Sequence, residues 1–160
     1  MAISIGDPVP SATVMLASAE GPQKADAAEV LGEGKVALFA VPGAFTPTCS
    51  AKHLPGFVEK AGAFKAKGVD KIVCMSVNDA FVMQAWAENQ NAGDSVVMMA
   101  DGNGEFAQAL DLTMDGAGFG MGQRSQRFSA IIENGVVKAL NVEAPGAFDV
   151  SSAEHMLSQL

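Results

Sequence analysis

Short apolar runs alternate with helical patterns through the middle of the chain, and this alternation limits the fold more than any other feature. Continuous apolar composition predicts buried strands over residues 35–41, 71–77 and 96–100. Apolar residues at helical spacing predict a helix over 50–67, and Asp79 is a suitable N-cap for a second helix. The connections are long enough for right-handed crossovers between parallel strands.

The last third of the chain adds a predicted hairpin to this pattern. Its strands, 127–132 and 136–141, are joined through Asn134-Gly135, a pair that readily adopts the positive φ angles of a tight turn. Ser151 or Ser152 is the expected cap of a final helix, whereas glycine-rich residues 116–122 predict a long loop. The sequence therefore predicts an α/β fold with a central mixed β-sheet flanked by helices on both faces.

Length and composition exclude several classes of protein. The chain has 160 residues, 49% of them hydrophobic, so we expect one domain over residues 1–160. A net charge of −8 without a Lys/Arg cluster argues against nucleic-acid binding and against an anionic membrane surface. No apolar window reaches the roughly 18 residues that span a bilayer, and no leader pattern is visible. The expected compartment is the cytoplasm, or an organelle if a transit peptide has been removed. Two cysteines and two histidines, widely separated, give neither a disulfide framework nor a zinc-ligand pattern.

Chemistry is indicated by the segment Pro42-Gly-Ala-Phe-Thr-Pro-Thr-Cys49, which joins the first predicted strand to the first predicted helix. Cys49 is expected in or just before the first helical turn, where unpaired N–H groups and the helix dipole favour a negative charge. A free cysteine is only about 3% thiolate at pH 7, and a helix end stabilises the charge by at most about 2 kcal/mol. A mostly ionised thiol therefore also needs a hydroxyl donor, for which Thr46 is the candidate, and a cation, for which Arg127 is the candidate.

Arg127 qualifies because it begins a strand that can run beside residues 35–41. We interpret Cys49 as a reactive thiol rather than a buried structural cysteine, since a proline-bounded turn of this kind presents its side chains. His53 follows four residues later, on the same helical face, but no oxyanion hole or orienting Asn or Asp can be identified for a Cys/His hydrolase. Arg124 either helps the site or flanks the glycine-rich loop, and Pro55 is expected to kink the helix.

The pattern Pro42-x-x-x-Thr46-x-x-Cys49 resembles the active-site motif of the peroxiredoxins. Three further segments resemble the type II, fifth-class branch of that family, and the likeness covers the chain from about Ile5 to its end. These segments are His53-Leu-Pro-Gly-Phe57, Ser76-Val-Asn-Asp79 and Arg127-Phe-Ser129. The resemblance implies a thioredoxin-like fold, a homodimer, and chemistry that needs no metal or organic cofactor.

The resemblance also implies roles for individual residues. The Cys49 thiolate would attack hydrogen peroxide or an alkyl hydroperoxide and become a sulfenic acid. Thr46 and Arg127 would hold the peroxide, and Pro42 would shield the thiolate. The rim of the substrate pocket is expected at Gly43, Phe45, His53 and Phe119.

The reductant that recycles Cys49 is left open between alternatives. Cys74 occupies a position that resembles the second cysteine of plant-type members, yet it lies in a predicted buried strand. It is either a resolving or a structural cysteine, and we favour the structural role. An external thiol is then required, with glutathione and glutaredoxin favoured and thioredoxin next. A peroxide sensor or redox relay that signals through oxidised Cys49 is the alternative function. A disulfide oxidoreductase is disfavoured because Cys-x-x-Cys is absent.

Overall fold

The structure, a computed structural model, describes residues 2–160, so Met1, the first residue of the expected domain, lies outside the described residues. The strands are β1 (Thr13–Leu16), β2 (Gln23–Asp26), β3 (Lys35–Ala40), β4 (Lys71–Ser76), β5 (Val97–Ala100), β6 (Thr113–Asp115), β7 (Gln123–Ser125), β8 (Phe128–Glu133) and β9 (Val136–Val142). The helices are α1 (Ala27–Val30), α2 (Leu54–Glu59), α3 (Ala61–Ala66), α4 (Ala80–Asn89), α5 (Glu105–Leu110) and α6 (Ala153–Ser158).

Seven of the strands form one mixed sheet in the order β2-β1-β5-β4-β3-β8-β9. The neighbours β3, β4 and β5 are parallel, because helical crossovers connect them. The β8–β9 hairpin adds antiparallel strands along β3, and Asn134 and Gly135 at its turn have φ values of 50° and 81°. The predicted mixed sheet is confirmed.

Helices cover both faces of this sheet, as predicted. Alternate residues of β3 point to opposite faces, so Phe39 packs in one buried cluster and Leu38 in the other. The Phe39 cluster includes residues of α2, α3, α4 and α6, whereas the Leu38 cluster includes residues of α1 and α5. Cys49 belongs to the first cluster, so the site lies on the face covered by α2, α4 and α6.

Three features differ from the sequence prediction. An N-terminal hairpin, β1–β2, pairs with β5 at one end of the sheet, and a separate ribbon, β6–β7, flanks residues 116–122. These strands are only three or four residues long and carry little apolar periodicity, which hides them from pattern analysis. The helix expected over 50–67 is divided into a π-helical turn, Cys49–His53, followed by α2 and α3.

Pro55 and Lys60 mark the two divisions of that helix. Pro55 lies in the first turn of α2, where the hydrogen-bond pattern changes from π-helical to α-helical, while the backbone at His53 and Leu54 stays in the right-handed helical region; the expected kink at Pro55 remains a prediction. At Lys60 the backbone leaves the helical region, with φ −99° and ψ 10°. No helix among residues 2–160 is both long enough and apolar enough to cross a membrane.

Candidate active site

The chain between β3 and the π-helical turn is held in a strained, tightly bonded conformation. Phe45 has φ +64°, in the left-handed region that a bulky residue rarely adopts, and its side chain is half exposed. The preceding Ala44 N–H donates to Asn78 Oδ1 at 2.9 Å, which ties this segment to the loop after β4. Neighbouring contacts thus fix the turn that leads to Cys49.

Cys49 opens the π-helical turn, as its place in the sequence predicts. The N–H of Ser50 donates to the carbonyl of Thr46 at 2.9 Å, and the N–H of Leu54 donates to the carbonyl of Cys49, five residues back. Pro55 has no N–H with which to extend this wide hydrogen-bond pattern. Trp86 of α4 donates its indole N–H to Ser50 Oγ at 3.0 Å, so a buried aromatic side chain anchors the turn.

The Cys49 sulfur lies against a guanidinium group. Arg127 directly precedes β8, which pairs with β3, and this pairing brings it across the sheet to the start of the π-helical turn. Its Nη2 donates to Cys49 Sγ at 3.0 Å. The expectation that the turn presents the Cys49 side chain is wrong, because Cys49 has no exposed surface. The charge-assisted contact therefore operates in a poorly solvated environment, where it is stronger than in water.

His53 is an internal link rather than part of an exposed rim. Its side chain has no exposed surface, and its two ring nitrogens contact different partners: Nε2 lies 2.8 Å from the Ser151 carbonyl and Nδ1 lies 2.8 Å from Arg127 Nη1. A carbonyl can only accept and a guanidinium can only donate, so His53 must carry its proton on Nε2. Burial, and then the adjacent Arg127 charge, lower the pKa of His53 to about 3, which keeps the ring neutral.

A loop behind His53 completes the surroundings of Arg127. The Phe148 ring packs edge-on against His53 at 5.0 Å between centroids, and the Arg127 guanidinium lies 5.9 Å from the centroid of the same ring. Sequence reasoning missed Phe148 and Glu143, and it considered Ser151 only as a helix cap, a role that Ser152 fills. No motif marks these residues, because they reach the site through tertiary packing.

Thr46 and Gly43 are close to each other, in an arrangement that differs in part from the expectation. The Thr46 hydroxyl donates to the Gly43 carbonyl at 2.7 Å, so its proton is not directed at the sulfur. The turn places that carbonyl three residues back, within easy reach of the hydroxyl. Gly43 is buried, and a Cβ there would lie 3.1 Å from Thr46 Cγ2 and 3.2 Å from Met121 Cε. This position is closely packed, so an added side chain would displace Thr46 and Met121.

A cavity of about 430 Å³ opens beside the site. Its lining includes Pro42, Thr48, Arg127 and Glu143, and also Phe119 from the glycine-rich loop. Among the other residues expected at the rim, Gly43 and His53 are buried and Phe45 lies outside the lining. Phe119 is 86% exposed and so forms the outer, apolar edge of the cavity.

Cys74 and Arg124 have positions distinct from the sulfur–guanidinium pair. Cys74 lies within β4, pairs in register with Phe39 and is completely buried, and both cysteines are free thiols. Burial, and then the nearby Cys49, raise the pKa of Cys74 well above its usual value. Arg124 donates to the carbonyls of Met121 and Val77, at 2.9 and 3.1 Å, and so fastens the glycine-rich loop to the end of β4.

Comparison with known proteins gives a consistent family. The Redoxin family model matches residues 4–157. Peroxiredoxin-2E-2, chloroplastic, of Oryza sativa subsp. japonica is 53% identical over 99% of this chain and 72% of its own length. Peroxiredoxin-2B of Arabidopsis thaliana is 46% identical over 99% of this chain and 98% of its own.

A crystal structure of reduced Prx3 from Vibrio vulnificus in complex with hydrogen peroxide superposes with a TM-score of 0.94. It is 54% identical to this protein and covers 98% of each chain. The mixed sheet with helices on both faces is accordingly the thioredoxin-like fold of peroxiredoxins. From its sequence, its fold and a cysteine paired with arginine at the start of a helix, this chain belongs to the peroxiredoxin family, as a thiol peroxidase of the type II branch.

Proposed function

We propose that Cys49 is the peroxidatic residue and that it reduces hydrogen peroxide and alkyl hydroperoxides as a thiolate. The observation that carries the proposal is the 3.0 Å contact between Arg127 Nη2 and the buried Cys49 sulfur. Arginine does not release its proton to a thiolate, so the pair favours the ionised sulfur without being neutralised. The sulfur attacks the terminal peroxide oxygen, the O–O bond breaks, and the leaving oxygen takes a proton to give water or an alcohol. Cys49 is left as a sulfenic acid.

Thr46 and Pro42 support this step in different ways. Because the Thr46 proton is bonded to the Gly43 carbonyl, the lone pairs of its oxygen remain to accept the O–H of a peroxide. Arg127 then stabilises the negative charge that develops on the leaving oxygen. Pro42 lines the cavity and limits the water around the sulfur.

Substrate size follows from the cavity. Hydrogen peroxide needs little of its 430 Å³, and the mostly apolar lining, with the exposed Phe119 at its edge, suits the tail of an alkyl hydroperoxide. The Vibrio vulnificus relative with bound hydrogen peroxide supports the smaller substrate. The sensor alternative requires that oxidised Cys49 persists, so it predicts consumption of only one peroxide equivalent.

An external thiol is proposed as the reductant, in two exchange steps. A first thiol attacks the sulfenic acid, releases water and forms a mixed disulfide, and a second thiol then displaces Cys49 as the thiol. Cys74 is poorly suited to this role because it lies inside the sheet and its raised pKa keeps it protonated. Glutathione with glutaredoxin is the favoured reductant and thioredoxin the next.

The decisive experiment measures steady-state peroxide consumption with glutathione and glutaredoxin, and separately with thioredoxin. Cys49→Ser should abolish turnover with both reductants, whereas Cys74→Ser should retain it. Loss of turnover in Cys74→Ser, with the fold intact, would refute the one-cysteine cycle. Consumption of a single peroxide equivalent by the wild type would favour the sensor.

A homodimer is proposed from an apolar surface near the site. Phe45, Phe81 and Phe119 are exposed, and they belong to three segments that hydrogen bonds tie together: Ala44 to Asn78, and Arg124 to Val77. A second copy of the chain would bury these rings. Phe119→Asp should shift the sedimentation coefficient towards the monomer, and Ile5→Asp, a change at an exposed apolar residue elsewhere, should not.

The cytoplasm remains the proposed compartment, with an organelle as the alternative. Two of the similar plant proteins are chloroplastic, which supports the alternative for a precursor that carries a transit peptide. Imaging of the full-length gene product fused to a fluorescent protein distinguishes these compartments.

A further inference from the structure

One buried carboxylate collects four hydrogen bonds close to the active site, although the peroxidase mechanism does not use it. Glu143 follows β9, and its side chain is only 7% exposed. Its Oε2 accepts from the backbone N–H groups of Asp149, Val150 and Ser151 at 2.8, 3.0 and 2.9 Å, and from the Ser151 hydroxyl at 2.6 Å. Glutamate is rarely buried without such partners, so this arrangement calls for a physical explanation.

The loop that Glu143 holds leads directly to Arg127. Ser151, fixed through its N–H and its hydroxyl, presents its carbonyl to His53 Nε2 at 2.8 Å. His53 in turn accepts from Arg127 Nη1, and Nη2 of the same guanidinium donates to Cys49. We propose that Glu143 is a positioning residue for the peroxidase reaction, and that it acts on Arg127 through the 149–151 loop and His53.

The direction of each hydrogen bond makes this connection specific. The Ser151 carbonyl fixes the His53 proton on Nε2, which leaves the Nδ1 lone pair as the acceptor for Arg127. If the 149–151 loop moved, the His53 ring would no longer be fixed by the Ser151 carbonyl. Arg127 would then lose the acceptor that holds its Nη1 group in place. Glu143 is also bonded to Arg127 along the backbone, since its N–H donates to the Arg127 carbonyl at 3.0 Å. Both ends of Arg127 are therefore held by the segment that follows β9.

The charge of Glu143 is maintained by the same contacts. Burial raises the pKa of this carboxyl, but the hydrogen bonds from Ser151, Asp149 and Val150 together lower it further, to below its usual value. Among the described residues, the charged and titratable groups that act on the sulfur and on His53 are then Arg127, Cys74 and Glu143 itself. Glu143 bonds to the 149–151 loop and not to the sulfur, so Glu143→Gln deletes no group that contacts Cys49 Sγ.

The test uses variants that keep the shape of the site. Glu143→Gln removes the charge, and Ser151→Ala removes only the hydroxyl donor and keeps the carbonyl that faces His53. We expect both to slow the reaction of Cys49 with hydrogen peroxide, on the order of tenfold for Glu143→Gln, which is within the range measured for couplings through packed networks. Both should also move the pH dependence of Cys49 alkylation by iodoacetamide to higher pH. Glu133→Gln, an exposed change on the same hairpin, is the control and should alter neither measurement.

A double-mutant cycle with His53→Leu, which removes both ring nitrogens, tests the route itself. If Glu143 acts through His53, Glu143→Gln should slow the reaction no further in the His53→Leu background. Unchanged rates and an unchanged alkylation profile in Glu143→Gln would overturn the inference, as would additive losses. Near-UV circular dichroism of each variant checks the fold, and if Glu143→Gln is unfolded, Ser151→Ala gives the same test. The inference rests on the proposed function, and the two can fail separately. If the wild-type protein does not consume peroxide through Cys49, the proposed function is refuted. If the wild-type protein is active and Glu143→Gln is equally active, only the inference is refuted.

Discussion

A histidine that stays neutral inside the fold must make the protein less stable in acid. The folded protein holds the pKa of His53 near 3, against 6.5 for an ordinary histidine, because of burial and the adjacent Arg127 charge. The unfolded chain therefore binds a proton at His53 below pH 6.5, whereas the folded protein does not until about pH 3. The contribution of His53 to the free energy of unfolding is therefore complete above pH 6.5 and is lost progressively as the pH falls towards 3.

The size of the effect follows from the interval between these two values. A pH of 5 lies about 1.5 units below the pKa of histidine in the unfolded chain, and each unit corresponds to about 1.36 kcal/mol. The free energy of unfolding should therefore fall by about 2 kcal/mol between pH 7 and pH 5. Most carboxylates remain ionised at pH 5, which makes this interval the most informative. In urea, a loss of about 2 kcal/mol lowers the unfolding midpoint by about 1 M.

The assay compares His53 with a side chain that does not titrate. His53→Gln retains a donor for the Ser151 carbonyl and an acceptor for Arg127. Both proteins should carry Cys49→Ser, so that ionisation of the thiol does not contribute to the profile. Urea unfolding at pH 7, 6 and 5, at constant ionic strength, can be followed by fluorescence of Trp86, the only tryptophan, which is fully buried. Parallel pH profiles for the two proteins would refute the reasoning, because His53 would then titrate alike in both states.

Three further predictions concern packing and hydrogen bonding. Gly43→Ala should slow the peroxide reaction with little change in melting temperature, because the added Cβ would press on the active-site turn. Gly62→Ala is the control, because a Cβ there meets open space in a helix; it should leave the rate unchanged and raise the free energy of unfolding by about 1 kcal/mol. Ser50→Ala should cost about 1–3 kcal/mol in urea unfolding, because it leaves the buried Trp86 indole N–H without its acceptor, and a cost below about 0.5 kcal/mol would contradict this. Asp101→Asn should lower the free energy of unfolding by a similar amount, because each carboxylate oxygen of Asp101 accepts a hydrogen bond from a backbone N–H at the start of α5. Thermal unfolding measures the effect, and an unchanged melting temperature would show that these bonds contribute nothing.

The central part of the fold could be predicted because its signals are local. The apolar runs became β3, β4 and β5, and Asp79 caps α4 through a hydrogen bond to the N–H of Val82, as its place in the sequence suggests. The Asn134-Gly135 turn also has the expected positive φ angles. The small strands β1, β2, β6 and β7 could not be predicted from the sequence, because they are stabilised by pairing with neighbouring strands rather than by an apolar pattern of their own.

The site also contains residues that the sequence predicts and residues that only tertiary packing brings together. The strand pairing inferred for Arg127 brings its guanidinium to Cys49, since β8 does run beside β3. The role of His53 was not readable in the same way, because its partners lie 98 and 74 residues along the chain and nothing in the sequence marks the Ser151 carbonyl as an acceptor. Glu143 carries no signal at all: a single acidic residue after a strand is usually solvated, and only the loop folded over it makes it part of the site.

The buried position of Cys49 sets opposite requirements for the two halves of the proposed reaction cycle. A small peroxide can approach from the adjoining cavity, but a thiol must bring its own sulfur to about 2.05 Å from Sγ, which the closed π-helical turn prevents. Hydrogen bonds that resist opening include Trp86 to Ser50, Arg127 to Cys49, and His53 to the carbonyl of Ser151. The last of these also holds Arg127 in place for the attack on peroxide. Under the proposed cycle, weakening the contact between His53 and the Ser151 carbonyl should slow oxidation of Cys49 and ease access for the reductant, so the two half-reactions place opposite demands on its strength.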